Sequence, residues 1–256
     1  MLIFTVGDVV GKAGCDFLVE RLPAYKKFKG IDLCIVNGEN SAQGNGISPS
    51  SCEQLFLAGA DVVTTGNHVY KRNEVYDYLD SAKPVIRPAN YNENNPGKGY
   101  VIADKGRYQC GVINIMGTAF LECVENPFCC MDRILPEISD CKIIIVDFHA
   151  EATSEKRAMG FYLDGKVTAV VGTHTHVQTA DEQILPHGTA YITDLGMTGP
   201  LQSVLGIKPE LVINKLKYQM PTRFLNAAGE MVLCGCLIEA DEKTGEALSI
   251  ERVVIS

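Results

Sequence analysis

Short apolar segments alternate with longer amphipathic stretches in the first part of the chain. The runs Leu2–Val6, Asp32–Val36 and Asp61–Thr64 have strand length, and a glycine follows each of them within two residues. Between them, Gly14–Phe28 carries apolar residues at helical spacing. Ser48-Pro49 is typical of an N-cap followed by proline, and predicts a helix to about Ala58. This βαβα alternation indicates an α/β protein.

The later part of the chain mixes a hairpin with further helices and strands. Tyr100–Asp104 and Tyr108–Ile115 flank Lys105-Gly106 and predict a β-hairpin. Met197–Pro200 could form a cleft rim or a subunit contact. The other predicted elements are helices at Lys71–Leu79, Asn126–Ile138 and Ser154–Leu163 and strands at Pro84–Ile86, Lys142–Val146, Val167–Val171, Met231–Glu239 and Ala247–Val254. The whole pattern predicts a single domain over residues 1–256, a four-layer α/β/β/α sandwich in which helices flank two mixed β-sheets.

Charge and hydropathy exclude several classes of protein. The 256 residues include 23 basic and 31 acidic side chains, so the net charge is −8. A protein that binds nucleic acid without regard to sequence needs a basic surface, so we expect no stable nucleic-acid binding. The longest aliphatic run, Ile143–Val146, is too short to cross a membrane. The N-terminus lacks the charged and apolar regions of a leader peptide, so we expect a cytoplasmic protein.

The chain contains ten cysteines, but their spacing does not indicate a cysteine-based site. No C-x-x-C pair occurs, which argues against a zinc module or a thioredoxin-like redox site. Cysteines inside apolar runs such as Leu33–Val36 and Leu233–Leu237 are expected to be small buried hydrophobes. We therefore predict reduced thiols with a structural role.

Polar side chains that can bind metal ions follow five of the apolar runs. In an open α/β sheet, ligands bind beyond the carboxyl ends of the strands, so these turns could converge on one cleft. Four of the five histidines lie in these turns, and only His187 lies outside them. The turns are Gly7-Asp8, Gly38-Glu39-Asn40, Gly66-Asn67-His68, Asp147-Phe148-His149 and Gly172-Thr173-His174-Thr175-His176.

The donor types in these turns predict a site for two metal ions. Carboxylate, amide and imidazole groups without thiolate suit Mn, Fe or Zn. Glu39 could bridge two cations, and His174 and His176 could face the cleft together because alternate residues of an extended segment share a side. Any single histidine is more often a capped or core imidazole, but four beside Asp8 and Glu39 favour a metal site.

Several polar residues near these turns have two interpretations. Lys71-Arg72 and Lys156-Arg157 could contact a substrate phosphate or could simply be solvated. Gln178, Thr179 and Asp181 follow His176 closely and could orient the imidazoles of metal ligands.

The turns described above resemble the motifs of a known family. The sequence is similar to the calcineurin-like metallophosphoesterases and, within them, to the YmdB-like phosphodiesterases, nearly from end to end. The general superfamily opens with D-x-H and continues with G-D-x-x-D, whereas this chain has Asp8-Val9-Val10 and Gly38-Glu39-Asn40, as the YmdB-like branch does. The most specific stretches are Gly7–Gly11, Asn37–Asn40, Thr65–His68, Asp147–Glu151 and Val171–Asp181.

The resemblance implies a role for each matching position. Fe or Mn would be the metals, with Zn or Mg as alternatives. His68 would be the proton donor, and a metal-activated hydroxide would attack small phosphodiesters such as 2′,3′-cyclic nucleotides. One metal would be bound by Asp8, Glu39, Asn40 and His176, and the other by Glu39, Asn67, His149 and His174.

Two other functions stay open on the residues alone. The same site could serve a phosphomonoesterase or nucleotidase, which would differ in the shape of its pocket. A regulatory metal-binding protein with little catalysis is the second alternative, and a homo-oligomer is a further expectation.

Overall fold

Two β-sheets lie face to face, and helices cover the outer face of each. The computed structural model describes residues 1–256. Its helices are α1 (Gly11–Lys29), α2 (Pro49–Leu57), α3 (Tyr76–Leu79), α4 (Pro127–Ile134), α5 (Thr153–Leu163) and α6 (Pro209–Tyr218). Its strands are β1 (Leu2–Val6), β2 (Asp8–Val9), β3 (Leu33–Asn37), β4 (Val62–Thr64), β5 (Tyr100–Asp104), β6 (Gln109–Met116), β7 (Ile143–His149), β8 (Ala169–Thr173), β9 (Gln183–Ile184), β10 (Ala190–Ile192), β11 (Met197–Pro200), β12 (Met231–Ala240) and β13 (Ala247–Ile255).

Three apolar clusters separate the four layers. Ile3 of β1 and Ile145 of β7 belong to the cluster between the two sheets. Their chain neighbours point the other way, because side chains alternate along a strand: Phe4 packs in the cluster that contains Leu18 of α1, and Ile144 packs in the cluster that contains Met159 of α5. Both faces of each sheet are thus covered, and the predicted four-layer sandwich is confirmed.

Parallel strands run through the middle of both sheets. The first sheet has the order β2-β11-β12-β1-β3-β4, with β13 on the other edge of β12. The second has the order β5-β6-β7-β8-β10-β9. β1, β3 and β4 are parallel to one another, and so are β6, β7, β8 and β10. The turns that contain the predicted metal ligands follow the carboxyl ends of these strands.

Local signals in the sequence set several element boundaries correctly. Ser48 caps α2: its hydroxyl accepts a hydrogen bond from the backbone N–H of Ser51. Gly30 ends α1 in a left-handed conformation, with φ of 69°. All ten cysteines are free thiols; eight are buried, as predicted for cysteines with a structural role, whereas Cys123 and Cys129 are exposed.

Other boundaries were wrong. Pro84–Ile86 forms only isolated bridges, since proline lacks the N–H that a ladder needs. In Lys71–Leu79 only a short 3₁₀ turn and α3 are helical. The strand predicted at Lys142–Val146 continues in register to His149. Met197–Pro200 is no rim or contact surface but a buried strand, β11, paired with β2 and β12. No helix combines the length and apolar character that crossing a membrane requires.

Candidate metal centre

Two groups of potential metal ligands meet at Glu39. The first contains Glu39, His149 and His174, and the second contains Asp8, Glu39 and His176; within each group the ligand atoms lie within 4.8 Å of one another. The residues come from both sheets. Asp8 and Glu39 lie just beyond β1 and β3 of the first sheet, whereas His149 ends β7 and His174 directly follows β8 of the second. A carboxylate shared in this way is suited to bridge two cations.

Glu39 is fully buried and fixed from several sides. Its backbone N–H donates to Asn37 Oδ1 at 3.1 Å, and Glu39 Oε2 lies 3.2 Å from His149 Nε2. Burial opposes the charge of this carboxylate, but the imidazoles of His149 and His68 hold its pKa well below the usual range. Gly66 is required beside it, because a Cβ there would lie 2.3 Å from both Glu39 Oε2 and His149 Nε2.

Asp8 presents a buried oxygen that has no hydrogen-bond partner. Its Oδ2 accepts the backbone N–H of His174 at 3.1 Å, whereas its Oδ1 is unpaired and lies 3.5 Å from His176 Nε2. Burial raises the pKa of Asp8, but the nearby His176 and His149 together lower it overall. An orphaned, charged oxygen in the interior is costly unless a cation compensates it. This observation fits a bound metal ion.

Each candidate imidazole has a hydrogen-bond acceptor on its outer nitrogen. His176 Nδ1 lies 3.2 Å from the carbonyl of Leu205, and His174 Nε2 lies 3.1 Å from Glu151 Oε2. Because a carbonyl and a carboxylate can only accept, these ring nitrogens donate. The opposite nitrogen of each ring then turns a lone pair towards the centre. Fixing the ring tautomer from outside in this way is typical of metal-ligating histidines.

A buried polar chain orients His149 in the same manner. Thr173 Oγ1 donates to Asp147 Oδ1 at 2.7 Å and lies 2.9 Å from His149 Nδ1, which must therefore be the donor. Asn37 donates to Asp147 Oδ2 at 3.0 Å and closes the network. Burial raises the pKa of Asp147 to about 6. His149 Nε2 is left to face Glu39.

The two facing histidines, His149 and His174, do not both carry a positive charge. His174 Nδ1 lies 3.1 Å from His149 Nε2. Burial disfavours a charge on either ring, but Glu39 and Asp8 raise the pKa of His149 to about 9. Burial and the charge of His149 lower the pKa of His174 to about 4. Both rings turn a nitrogen towards Glu39, and a divalent cation held there would take the place of the proton on His149 Nε2.

The turn that carries His174 and His176 is strained and is held by a buried ion pair. The two histidines have φ values of 101° and 63°, which non-glycine residues rarely adopt. The N–H of Thr175, between them, donates to Asp194 Oδ2 at 3.0 Å. Lys156 Nζ lies 2.7 Å from the same oxygen, and both charged side chains are buried. Lys156 therefore neither contacts phosphate nor is solvated, as the sequence had left open.

Gln178, Thr179 and Asp181 were predicted to orient the imidazoles, but they form hydrogen bonds with other groups, so this prediction was wrong. Gln178 donates to the carbonyl of Gly235 at 3.0 Å, and Thr179 binds Asp181 and Asp194. None of them contacts a histidine ring. Glu151 and Thr173 do so instead, although both stood in stretches that the sequence had already marked.

The two asparagines and His68 complete the centre. Asn67 Oδ1 lies 3.1 Å from His149 Nε2, beside the first group. Asn40 Nδ2 donates to Glu39 Oε1 at 2.7 Å, and Asn40 Oδ1 lies 2.9 Å from His68 Nδ1. His68 belongs to neither three-residue group. Its Nε2 has no protein partner, and the side chain is a quarter exposed.

The centre opens into a cleft of about 440 Å³. Its lining includes Glu39, Asn40, His68, His174 and His176. Arg72, which could have bound substrate, instead donates from its Nε to the carbonyl of Asn45 at 2.9 Å and supports the loop at the rim.

Known structures define the class of this fold. A 5′-nucleotidase precursor from Thermus thermophilus superposes with a TM-score of 0.60, covering 100% of this chain and 54% of that one, at 14% identity. That likeness shows the fold alone. Within this fold the chain brings together two groups of side chains that could hold metal ions.

Comparison of sequences gives the particular family. The family model described as YmdB-like protein matches residues 4–253, and the chain belongs to this family. A Bacillus subtilis (strain 168) protein named 2′,3′-cyclic-nucleotide 2′-phosphodiesterase is 44% identical over 100% of this chain and 97% of its own length. A structure described as a novel phosphatase from Mycoplasma pneumoniae has a TM-score of 0.94 at 35% identity, covering 100% of this chain and 93% of that one. The predicted resemblance and enzyme class are confirmed.

Proposed function

We propose that this chain hydrolyses phosphodiesters, 2′,3′-cyclic nucleotides among them, at a centre for two metal ions. The observation that carries the proposal is the position of Glu39 in both groups of candidate ligands. The name of the Bacillus subtilis relative supports the substrate class. Fe and Mn stay the predicted metals, and the cytoplasmic location and the homo-oligomer stay predictions.

The buried donors divide between two ions that share Glu39. Asp8, His176 and Asn40 would complete one site, and His149, His174 and Asn67 the other. Two bound ions of this kind supply Lewis-acid stabilisation of phosphate charge and activation of water. Asn40 would present its oxygen after rotation of its amide, because its Nδ2 now faces Glu39 and His176.

His68 is placed to deliver the proton that hydrolysis requires. In the reaction a water oxygen bonds to phosphorus, one ester P–O bond breaks, and the departing oxygen takes up a proton. His68 lines the cleft and its Nε2 has no hydrogen-bond partner in the chain, so the Nε2 proton is free to reach the departing oxygen when the ring is charged. General acid catalysis of this kind contributes about 10²–10⁴-fold.

A metal add-back assay tests the proposal. The protein is stripped with chelator, and hydrolysis of bis(p-nitrophenyl) phosphate and of p-nitrophenyl phosphate is followed while Mn²⁺ is titrated. We expect metal-dependent turnover of the diester and little of the monoester. Preference for the monoester would replace the proposal with a phosphomonoesterase. Two bound ions without turnover of the diester or of 2′,3′-cyclic AMP would favour a regulatory metal-binding protein.

A further inference from the structure

The cleft is lined by apolar as well as polar side chains, and some of the apolar ones are exposed. Val10, Leu205, Ile207 and Phe224 line the same cleft as the candidate metal ligands. Leu205 is 45% exposed and Phe224 is 40% exposed. Large apolar side chains gathered in a polar cleft are typical of a surface that a ligand covers.

Three of these apolar residues, Leu205, Ile207 and Phe224, belong to one structural unit. Residues 204–208 pair with residues 224–227, and we refer to the two segments together as the cleft wall. The N–H of Ala227 donates to the carbonyl of Gly206 at 2.9 Å, and that of Lys208 donates to the carbonyl of Leu225 at 3.0 Å. The cleft wall is joined to the centre because His176 Nδ1 donates to the carbonyl of Leu205 at 3.2 Å. Phe224 therefore stands at a fixed place relative to the candidate metal ligands.

The ring of Phe224 is supported on one face by a cation. Lys215 Nζ lies 4.7 Å from its centroid, and Lys215 makes no ion pair. The ring still borders the cleft, so part of its surface is free for a second planar group. Asn226 lines the same cleft and its side-chain amide makes no hydrogen bond within the chain, which leaves a donor and an acceptor beside the ring.

We propose that Phe224 is a stacking platform for the base of a nucleotide substrate, with Asn226 contacting the edge of the base. The inference rests on the proposed function and names the part of the substrate that the centre itself does not bind. Stacking of a base on an aromatic side chain is worth about 1–3 kcal/mol and tolerates any base. A cleft of about 440 Å³ lies within the size range of pockets for ligands of nucleotide size. A phosphodiester without a base would leave the cleft wall in contact with water.

Two cyclic phosphates of the same ring size test the inference with the metal-reconstituted enzyme. 2′,3′-cyclic AMP carries a base, and glycerol 1,2-cyclic phosphate does not. We expect Phe224→Ala to lower the preference for the nucleotide, measured as the ratio of the two kcat/KM values, by about 5- to 150-fold. Phe224→Trp should keep the preference, and Phe28→Ala, at an exposed phenylalanine of α1, should not change it. An unchanged ratio in Phe224→Ala would overturn the inference.

A binding measurement separates this inference from the proposed function. Calorimetric titration with adenosine 3′-monophosphate and with inorganic phosphate needs no turnover. We expect Phe224→Ala to weaken binding of the nucleotide and not of phosphate, and equal loss for both ligands would contradict base stacking. If the wild-type enzyme hydrolyses neither cyclic phosphate, the proposed function fails while the calorimetric result still decides the role of Phe224.

Discussion

Lys156 Nζ and Asp194 Oδ2 form a buried ion pair of 2.7 Å, and Asp194 holds the strained turn of the candidate metal centre by a hydrogen bond. Asp194 is bonded on both sides, since its Oδ2 accepts the N–H of Thr175 and its Oδ1 accepts the N–H of Gly196 at 2.9 Å. The pair thus links α5 to the residues that carry His174 and His176. This ion pair does not line the cleft, yet it fixes the backbone conformation of the turn that carries His174 and His176.

Removing one partner should affect both stability and activity. Lys156→Met leaves the carboxylate of Asp194 buried and uncompensated, so we expect a loss of about 3–5 kcal/mol in the free energy of unfolding. Misplacement of the histidine turn should also lower kcat/KM by up to about 100-fold. Urea unfolding and diester turnover measure the two effects. Lys166→Met, at an exposed lysine, is the matched control, and equal stability of both variants would contradict the role of the pair.

The contrast between Lys156 and Glu39 shows which parts of the molecule the sequence could predict. Glu39 was found because a glycine and two polar residues followed an apolar run of strand length, and parallel strands bring such turns together. Lys156 has no local signal of burial; its environment depends on Asp194, far along the chain. The strands β9 and β10 have two and three residues, too few to show an alternating pattern.

The cleft wall was not predicted either, because its residues also give no local signal in the sequence. Leu205 and Phe224 lie in segments without helical or strand periodicity, and their pairing across α6 appears only in three dimensions. α6 itself has no buried residue, so no apolar face of it packs on a core. The proline at its start and the basic residues in its last turn were nevertheless signals that a helix could have been placed there.

Loss of the shared carboxylate should empty the centre. Glu39→Gln removes the negative charge that the two candidate cation sites would share. We expect the chelated and reconstituted variant to bind fewer than two Mn²⁺ per chain, with turnover lower by at least about 100-fold. Elemental analysis and the diester assay provide the readouts. Glu53→Gln, at an exposed residue of α2, is the control, and two tightly held ions in Glu39→Gln would remove Glu39 from the ligand set.

Asp61 should make the fold sensitive to acid. It receives hydrogen bonds from Lys26 of α1 at 2.7 Å and from Lys105 of the β5–β6 turn at 2.9 Å, and so connects a helix with the hairpin. Burial opposes its charge, but these lysines lower its pKa overall. A group whose pKa is depressed by folding stabilises the fold above its unfolded pKa of about 3.9, and this contribution is lost as the pH falls through the folded pKa.

The matching variant is Asp61→Asn, studied in chelator so that metal binding does not contribute. At pH 7 we expect it to be less stable than the wild type by about 1 kcal/mol, a modest value because the side chain remains partly exposed. The difference should narrow as the pH falls below about 4. Urea unfolding at several pH values measures it. A difference that is constant with pH would show that the carboxylate charge is not what stabilises this contact.

Substitution of His68 distinguishes a proton donor from a metal ligand. His68→Ala should retain both ions, because the ring belongs to neither group that meets at Glu39, but should lose about 10²–10⁴-fold in turnover of 2′,3′-cyclic AMP. The loss should be smaller for bis(p-nitrophenyl) phosphate, since p-nitrophenolate departs without needing a proton as much as a ribose oxygen does. Elemental analysis and the two rates are measured on the same preparation. Depletion of metal in His68→Ala would make His68 a ligand, and an equal loss for both substrates would argue that it positions the phosphate instead of protonating the leaving group.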